Sequence, residues 1–151
     1  MKIKIIFFFL FSLLGLNMFA QGKVPKKEKD KVLAGKTYSV YVSETGNKKA
    51  EQKTDEVSFK GGKLNSKFMG TEKHFPAGDY SIVSVDSAEN YVEVTFSSES
   101  KNPDGESVKW DGTITDGALE AKATVTNKKG KTIAEYAISG EEKEKKGAKK
   151  K

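Results

Sequence analysis

From residue 35 to residue 140 one pattern repeats: apolar side chains at every second position, then a short polar break carrying glycine, asparagine or aspartate. A period of two marks strands with one buried face, and this alternation constrains the fold more than any other feature. Gly35–Val42 sets Tyr38, Val40 and Val42 against Thr37, Ser39 and Tyr41. Glu56–Lys60 and Lys63–Phe68 flank Gly61-Gly62, a pair suited to the positive φ angles of a two-residue hairpin turn. Val57 and Phe59 alternate in the first of these strands, and Leu64 and Phe68 share one side of the second. Tyr80–Val85 is apolar on both faces, which leaves its orientation open, and Asp86–Asn90 reads as a polar loop. Tyr91–Ser97 sets Val92, Val94 and Phe96 against Glu93 and Thr95. Ser107–Thr115 and Ala118–Thr126 are joined by Asp116-Gly117, a strong hairpin signal, and Lys128-Lys129-Gly130 leads on to Thr132–Gly140.

The count is eight strands in hairpin order, with no convincing helical period after residue 20. The predicted class is all-β. An eight-stranded antiparallel up-and-down barrel is favoured over a β-sandwich, because closure removes the two edges that an open meander would expose.

The ends of the chain differ from this body. Lys2 and Lys4 precede an apolar run from Ile5 to Leu16, too short for a membrane span, which reads as a cleavable secretory signal peptide over 1–20. The cut is expected between Ala20 and Gln21. Without cysteine there is no thiol for a lipid anchor and no disulfide, so the expected product is a soluble exported chain, periplasmic or secreted, and not a lipoprotein. Residues 21–31 carry five lysines against two acids, and 141–151 six lysines against three glutamates. The body, 32–140, holds 14 lysines against 16 acids. The two ends are expected to be solvated basic segments, a flexible N-terminal stretch and a disordered tail, capable at most of weak electrostatic contact with an anionic envelope surface. All 27 basic residues are lysine. Bidentate reading of phosphate or of a guanine edge needs the guanidinium fork, so nucleic acid is not an expected partner.

Catalytic chemistry has little to work with. One histidine and no cysteine rule out thiol catalysis and a metal cage of several imidazoles within one chain. His74 falls in the turn-rich segment 70–79 and reads as a loop residue. Asp111 and Asp116, on either side of a turn, read as local backbone partners rather than a carboxylate pair. Asn102–Glu106 reads as a turn and not a calcium loop, since it lacks a dense ladder of oxygen ligands. Neither an enzyme nor a cofactor or metal is expected.

Gly35-Lys-Thr-Tyr38 at the opening strand, Trp110-Asp-Gly-Thr-Ile114, Asp116-Gly117 and Tyr136-Ala-Ile-Ser-Gly140 together resemble the small exported lipocalin-like (calycin-type) barrels of Gram-negative envelopes. Lipocalins place tryptophan two residues after the opening glycine, where this chain has Tyr38 three residues on, and their packing arginine has no counterpart here. The resemblance therefore implies the barrel and the idea of a cavity, and nothing finer. Phe59, Phe68, Trp110, Ala121, Ala123 and Tyr136 are the candidate lining residues, with Ala134 and Ala137 as further small side chains that could leave room. Two functions follow as expectations: a carrier of a small apolar ligand, or an envelope structural or protein-interaction module whose barrel is filled.

Overall fold

The computed structural model describes residues 31–47 and 51–144. The signal peptide expected over 1–20 with its expected cut between Ala20 and Gln21, all of the basic segment before Lys31, and residues 145–151 of the tail lie outside the described residues. The order of elements is β1 (Thr37–Glu44), β2 (Lys53–Lys60), β3 (Lys63–Ser66), α1 (Lys67–Glu72), β4 (Gly78–Ala88), β5 (Tyr91–Lys101), β6 (Ser107–Thr115), β7 (Ala118–Thr126) and β8 (Thr132–Glu142). Each strand pairs antiparallel with the next, and β8 returns to β1 through Val40↔Gly140 and Val42↔Ile138. The barrel is closed, as the strand count predicts, and the sandwich alternative is set aside.

The turns are set by the residues that predict them. Gly61 and Gly62 both have positive φ, as do Asp116 (49°) and Gly117 (88°), the backbone that matches the twist of a tight hairpin. Two loops at the opposite end share one construction. Asn102 Oδ1 accepts from the Glu106 amide at 2.9 Å, and Asn127 Oδ1 from the Lys131 amide at 3.1 Å. In each, a left-handed glycine, Gly105 or Gly130, donates back to the asparagine carbonyl. The segment 102–106 is thus the turn expected of it.

Three expectations need correction. Phe68 does not continue β3; it sits on α1. Ser66 caps that helix by accepting from Met69 N at 3.1 Å, while Asp55 reaches over from β2 to accept from Phe68 N at 2.8 Å and Ser66 Oγ at 2.6 Å. These acceptors satisfy amide donors of the first turn, which favours helix where the alternation would have continued a strand. Asp86–Ala88 belongs to β4 and not to a loop, because Asp86, Ser87 and Ala88 pair in register with Glu93, Val92 and Tyr91. The third correction moves the tail boundary. Glu141 and Glu142 are the last residues of β8, paired with Ser39 and Tyr38 of β1, and Lys143 N donates to Thr37 O at 2.7 Å. Backbone pairing does not require an apolar side chain, and the Lys36–Glu142 ion pair at 2.9 Å offsets part of the charge there.

The core fills the barrel from end to end. Phe59 is its aromatic hub, met edge-on by Tyr80 and Phe96 at 5.0 Å each and by Tyr38 at 5.9 Å. Such edge-to-face contacts add to the stabilisation from buried area. At the end where β1 begins, Gly35 in a left-handed conformation donates to Phe59 O at 2.7 Å, and the turn it makes leaves Leu33 buried in the core. At the other end α1 and the residues after it bury Phe68, Met69 and Phe75. Tyr80 and Ile82 point inward, and the bulge after Ile82 returns Val85 to that same face opposite Val94, although Val83 and Val85 are exposed.

Candidate functional site

The six candidate lining residues do not gather around one space. Phe59 is the hub of the aromatic cluster. Trp110, Ala123 and Tyr136 lie in one cross-strand row, all buried, so the small middle residue is flanked by the two large ones. Ala121 falls in the next row with Gly112 and Ile138, and Phe96 pairs with Gly112 from the other side. A Cβ placed on Gly112 would meet Phe96 Cζ at 2.5 Å and Ala121 Cβ at 2.8 Å. The space that small residues leave is already taken by neighbouring rings. Ala134 is partly buried, and Ala137 faces outward and lines no interior. A void beside Trp110, bordered by Ser66, Ser98 and Ser100, has a volume of about 10 Å³, room for a single water at most.

Phe68 and Tyr136 do meet, at the α1 end, with ring centroids 5.4 Å apart. They border a recess of about 150 Å³ together with Val42, Glu44, Lys53 and Lys73. Its cations are engaged: Lys53 Nζ lies 5.3 Å from the Phe68 ring and pairs with Glu72, and Lys73 Nζ lies 5.8 Å from the Tyr136 ring. A hydrogen bond to the Tyr136 hydroxyl holds the Lys73 ammonium above its usual range, so that charge is fixed in place.

His74, Asp111 and Asp116 take local structural positions. His74 is exposed, with φ of 58°, and forms the left-handed residue just past the end of α1, a helix-terminating position. Asp116 Oδ1 accepts from Val92 N at 3.0 Å while its own amide donates to Val92 O at 3.1 Å, which ties the β6–β7 turn to the start of β5. Asp111 pairs instead with Lys109 at 3.0 Å. The Tyr38 hydroxyl is buried with no hydrogen-bond partner among the described residues; burial, and then the charge of Glu142, keep it protonated far above the ordinary phenol range. Among the described residues, no three or more histidine, aspartate or glutamate side chains gather as metal ligands, and no helix is long and apolar enough to cross a membrane.

The unusual surface lies elsewhere, on the β4–β5 hairpin. Val83, Val85, Tyr91 and Val92 are 64%, 43%, 38% and 44% exposed, four of the six large apolar residues that are exposed in the described structure. Val83 sits in a bulge between Ile82 and Ser84. Beyond it Asp86 stands directly opposite Glu93, whose carboxylate accepts from the Tyr91 hydroxyl. That hydrogen bond, more than any other influence, raises the Tyr91 phenol above its usual range.

Comparison with known proteins adds no relative. The chain matches no protein-family model, no curated protein and no solved structure. Its function has to be read from these surfaces alone.

Sequence reasoning passed over this hairpin because it divided the apolar residues of 80–85 between two faces without a rule for choosing, and took Asp86–Asn90 for a loop. One signal was available. From Gly78 to Ser100 the chain holds five carboxylates and no lysine, in a protein whose net charge is +6.

Proposed function

We infer that this protein is an exported, non-enzymatic barrel that works through its outer surface as an interaction module, not through a cargo held inside. The observation that carries this reading is the packing of the interior. Tyr38, Tyr80 and Phe96 each pack edge-on against Phe59 in the buried core, and the void beside Trp110 is about 10 Å³. Ligand pockets for drug-sized molecules run to about 300–1,000 Å³, so a carrier would need the core to open. The lipocalin-like resemblance then describes a scaffold more than a binding mode. Export rests on the leader pattern at 1–20, and the non-enzymatic reading on the structural employment of His74, Asp111 and Asp116 described above.

Titration with retinol and with a long-chain fatty acid, followed by Trp110 fluorescence, tests this directly. The expected result is no saturable change in emission. A saturable shift at equimolar ligand would return the carrier to first place.

A further inference from the structure

The inference rests on the reading of an outer-surface module and asks what that surface accepts. β3 pairs with β4 only at Lys63↔Asp79 and Leu64↔Gly78, and Tyr80 N donates to Gly62 O at 3.1 Å. Past that point β5 continues along one side of β4 as far as Ala88↔Tyr91. Along the other side, from Val83 to Ala88, no strand lies among the described residues. Among the described residues this leaves about 20 Å of strand with one edge unpaired inside an otherwise closed barrel. An open edge presents backbone N–H and C=O groups that another extended chain can pair.

The side chains on this edge indicate which chain. Val83 and Val85 supply exposed apolar surface. Asp86 and Glu93 face each other as a like-charge cross-strand pair, an arrangement that destabilises a sheet. No lysine among the described residues forms an ion pair with either of them or with Glu89 at the hairpin tip, although Lys63 pairs with Asp79 at the base of the same strand. A second copy of this chain is a poor occupant, since edge-to-edge pairing would bring two sets of these carboxylates together. Opposite charge on an extended segment answers both features.

We propose that the β4 edge from Val83 to Ala88 takes an extended, lysine-bearing segment of a partner protein as an added strand, with apolar side chains against Val85 and cations facing Asp86 and Glu89, in a negative field that Glu93 reinforces from β5. Backbone pairing supplies the affinity and the alternation of charge and apolar group supplies the selectivity, the mode known for strand addition at sheet edges. Val85 pairs with Val94 and Asp86 with Glu93, so successive β4 residues present opposite faces, and an occupant alternating lysine with a β-branched residue has the matching period.

The test uses the full chain as the cell processes it and a short synthetic peptide alternating lysine and valine, with a glutamate–valine peptide as its counterpart. Residue-resolved NMR should show the lysine–valine peptide perturbing the amides of Val83–Ala88 and slowing their exchange, with affinity falling about tenfold between low and physiological salt. The double variant Asp86→Lys, Glu93→Lys should lose about tenfold or more in affinity for that peptide and gain affinity for the glutamate–valine one, while circular dichroism shows the barrel retained. Equal binding of both peptides to the natural chain overturns the proposal, as does perturbation centred on another acidic surface such as that of Asp116, Glu141 and Glu144. Concentration-dependent self-association through β4 without peptide also overturns it. A silent β4 edge with an interior that takes no apolar ligand defeats this inference alone, whereas an interior that binds retinol defeats the reading beneath it.

Discussion

Val94 and Val85 are cross-strand partners on one face of one hairpin, yet Val94 is buried and Val85 is 43% exposed. The difference lies in what stands beyond them. Val94 has Ile114 of β6 as its other neighbour, and among the described residues no strand lies on the far side of Val85. The same alternation thus builds the barrel body and the β4–β5 hairpin, and yields a core in one and an open surface in the other. A period of two decides which side chains share a face, while neighbours on both sides decide whether that face is buried.

The sharpest way to break this contrast is to remove the hub of the body. Phe59→Ala should lose about 3–5 kcal/mol of stability in urea unfolding, because three ring contacts go and a cavity stays. A loss below about 1 kcal/mol would mean that the interior is loosely filled. Overfilling probes the same packing from the other direction. Gly112→Ala should cost about 1–3 kcal/mol, since its Cβ would lie 2.5 Å from Phe96 Cζ in a row with no slack. A neutral outcome would indicate free space in that row.

On the hairpin the expectation is the reverse. Val85→Ser should shift stability by no more than about 0.5 kcal/mol, as at ordinary surface positions. A larger loss would show that Val85 is covered after all. Another small effect, confined to low pH, belongs to the point where the chain closes on itself. Hydrogen bonds from Lys143 and then Lys67 hold the Glu56 carboxyl below its ordinary value of 4.5. A folded value below the unfolded one stabilises fully above the unfolded value and fades as pH falls through the folded value. Glu56→Gln should therefore flatten the acid side of the stability profile below about pH 4.5, by less than about 1 kcal/mol for an exposed pair. An unchanged acid limb would show that the pair is not formed in solution.

Much of the body was legible because its signals are local. Asp116-Gly117 and Gly61-Gly62 specify their turns by backbone sterics, and the parity of Tyr38, Val40 and Val42 or of Val108, Trp110 and Ile114 specifies the inner face. The misses have a common cause, which is dependence on partners distant in sequence. Phe68 turns into α1 because Asp55, thirteen residues earlier, caps that helix, and six helical residues are too few to display a period of 3.6. Glu141 and Glu142 enter β8 because β1 offers an edge to pair with, which no reading of their own side chains reveals. Phe59, Trp110, Ala123 and Tyr136 are buried, but alternation carries no information about volume, and Ala121 and Ala123 lie beside large neighbours that take up the space.

A filled, closed body carries a hairpin whose outer edge is unpaired among the described residues, and native-state hydrogen exchange measured residue by residue compares the two within one molecule. Amides of Val40, Phe59, Phe96 and Trp110 should exchange only through global unfolding, while those of Val83–Ala88 should exchange through local opening at a small fraction of that free energy. Equal protection along β4 from Ile82 to Ala88 would contradict this contrast, because an open edge with one strand beside it cannot be held as firmly as a core strand with two.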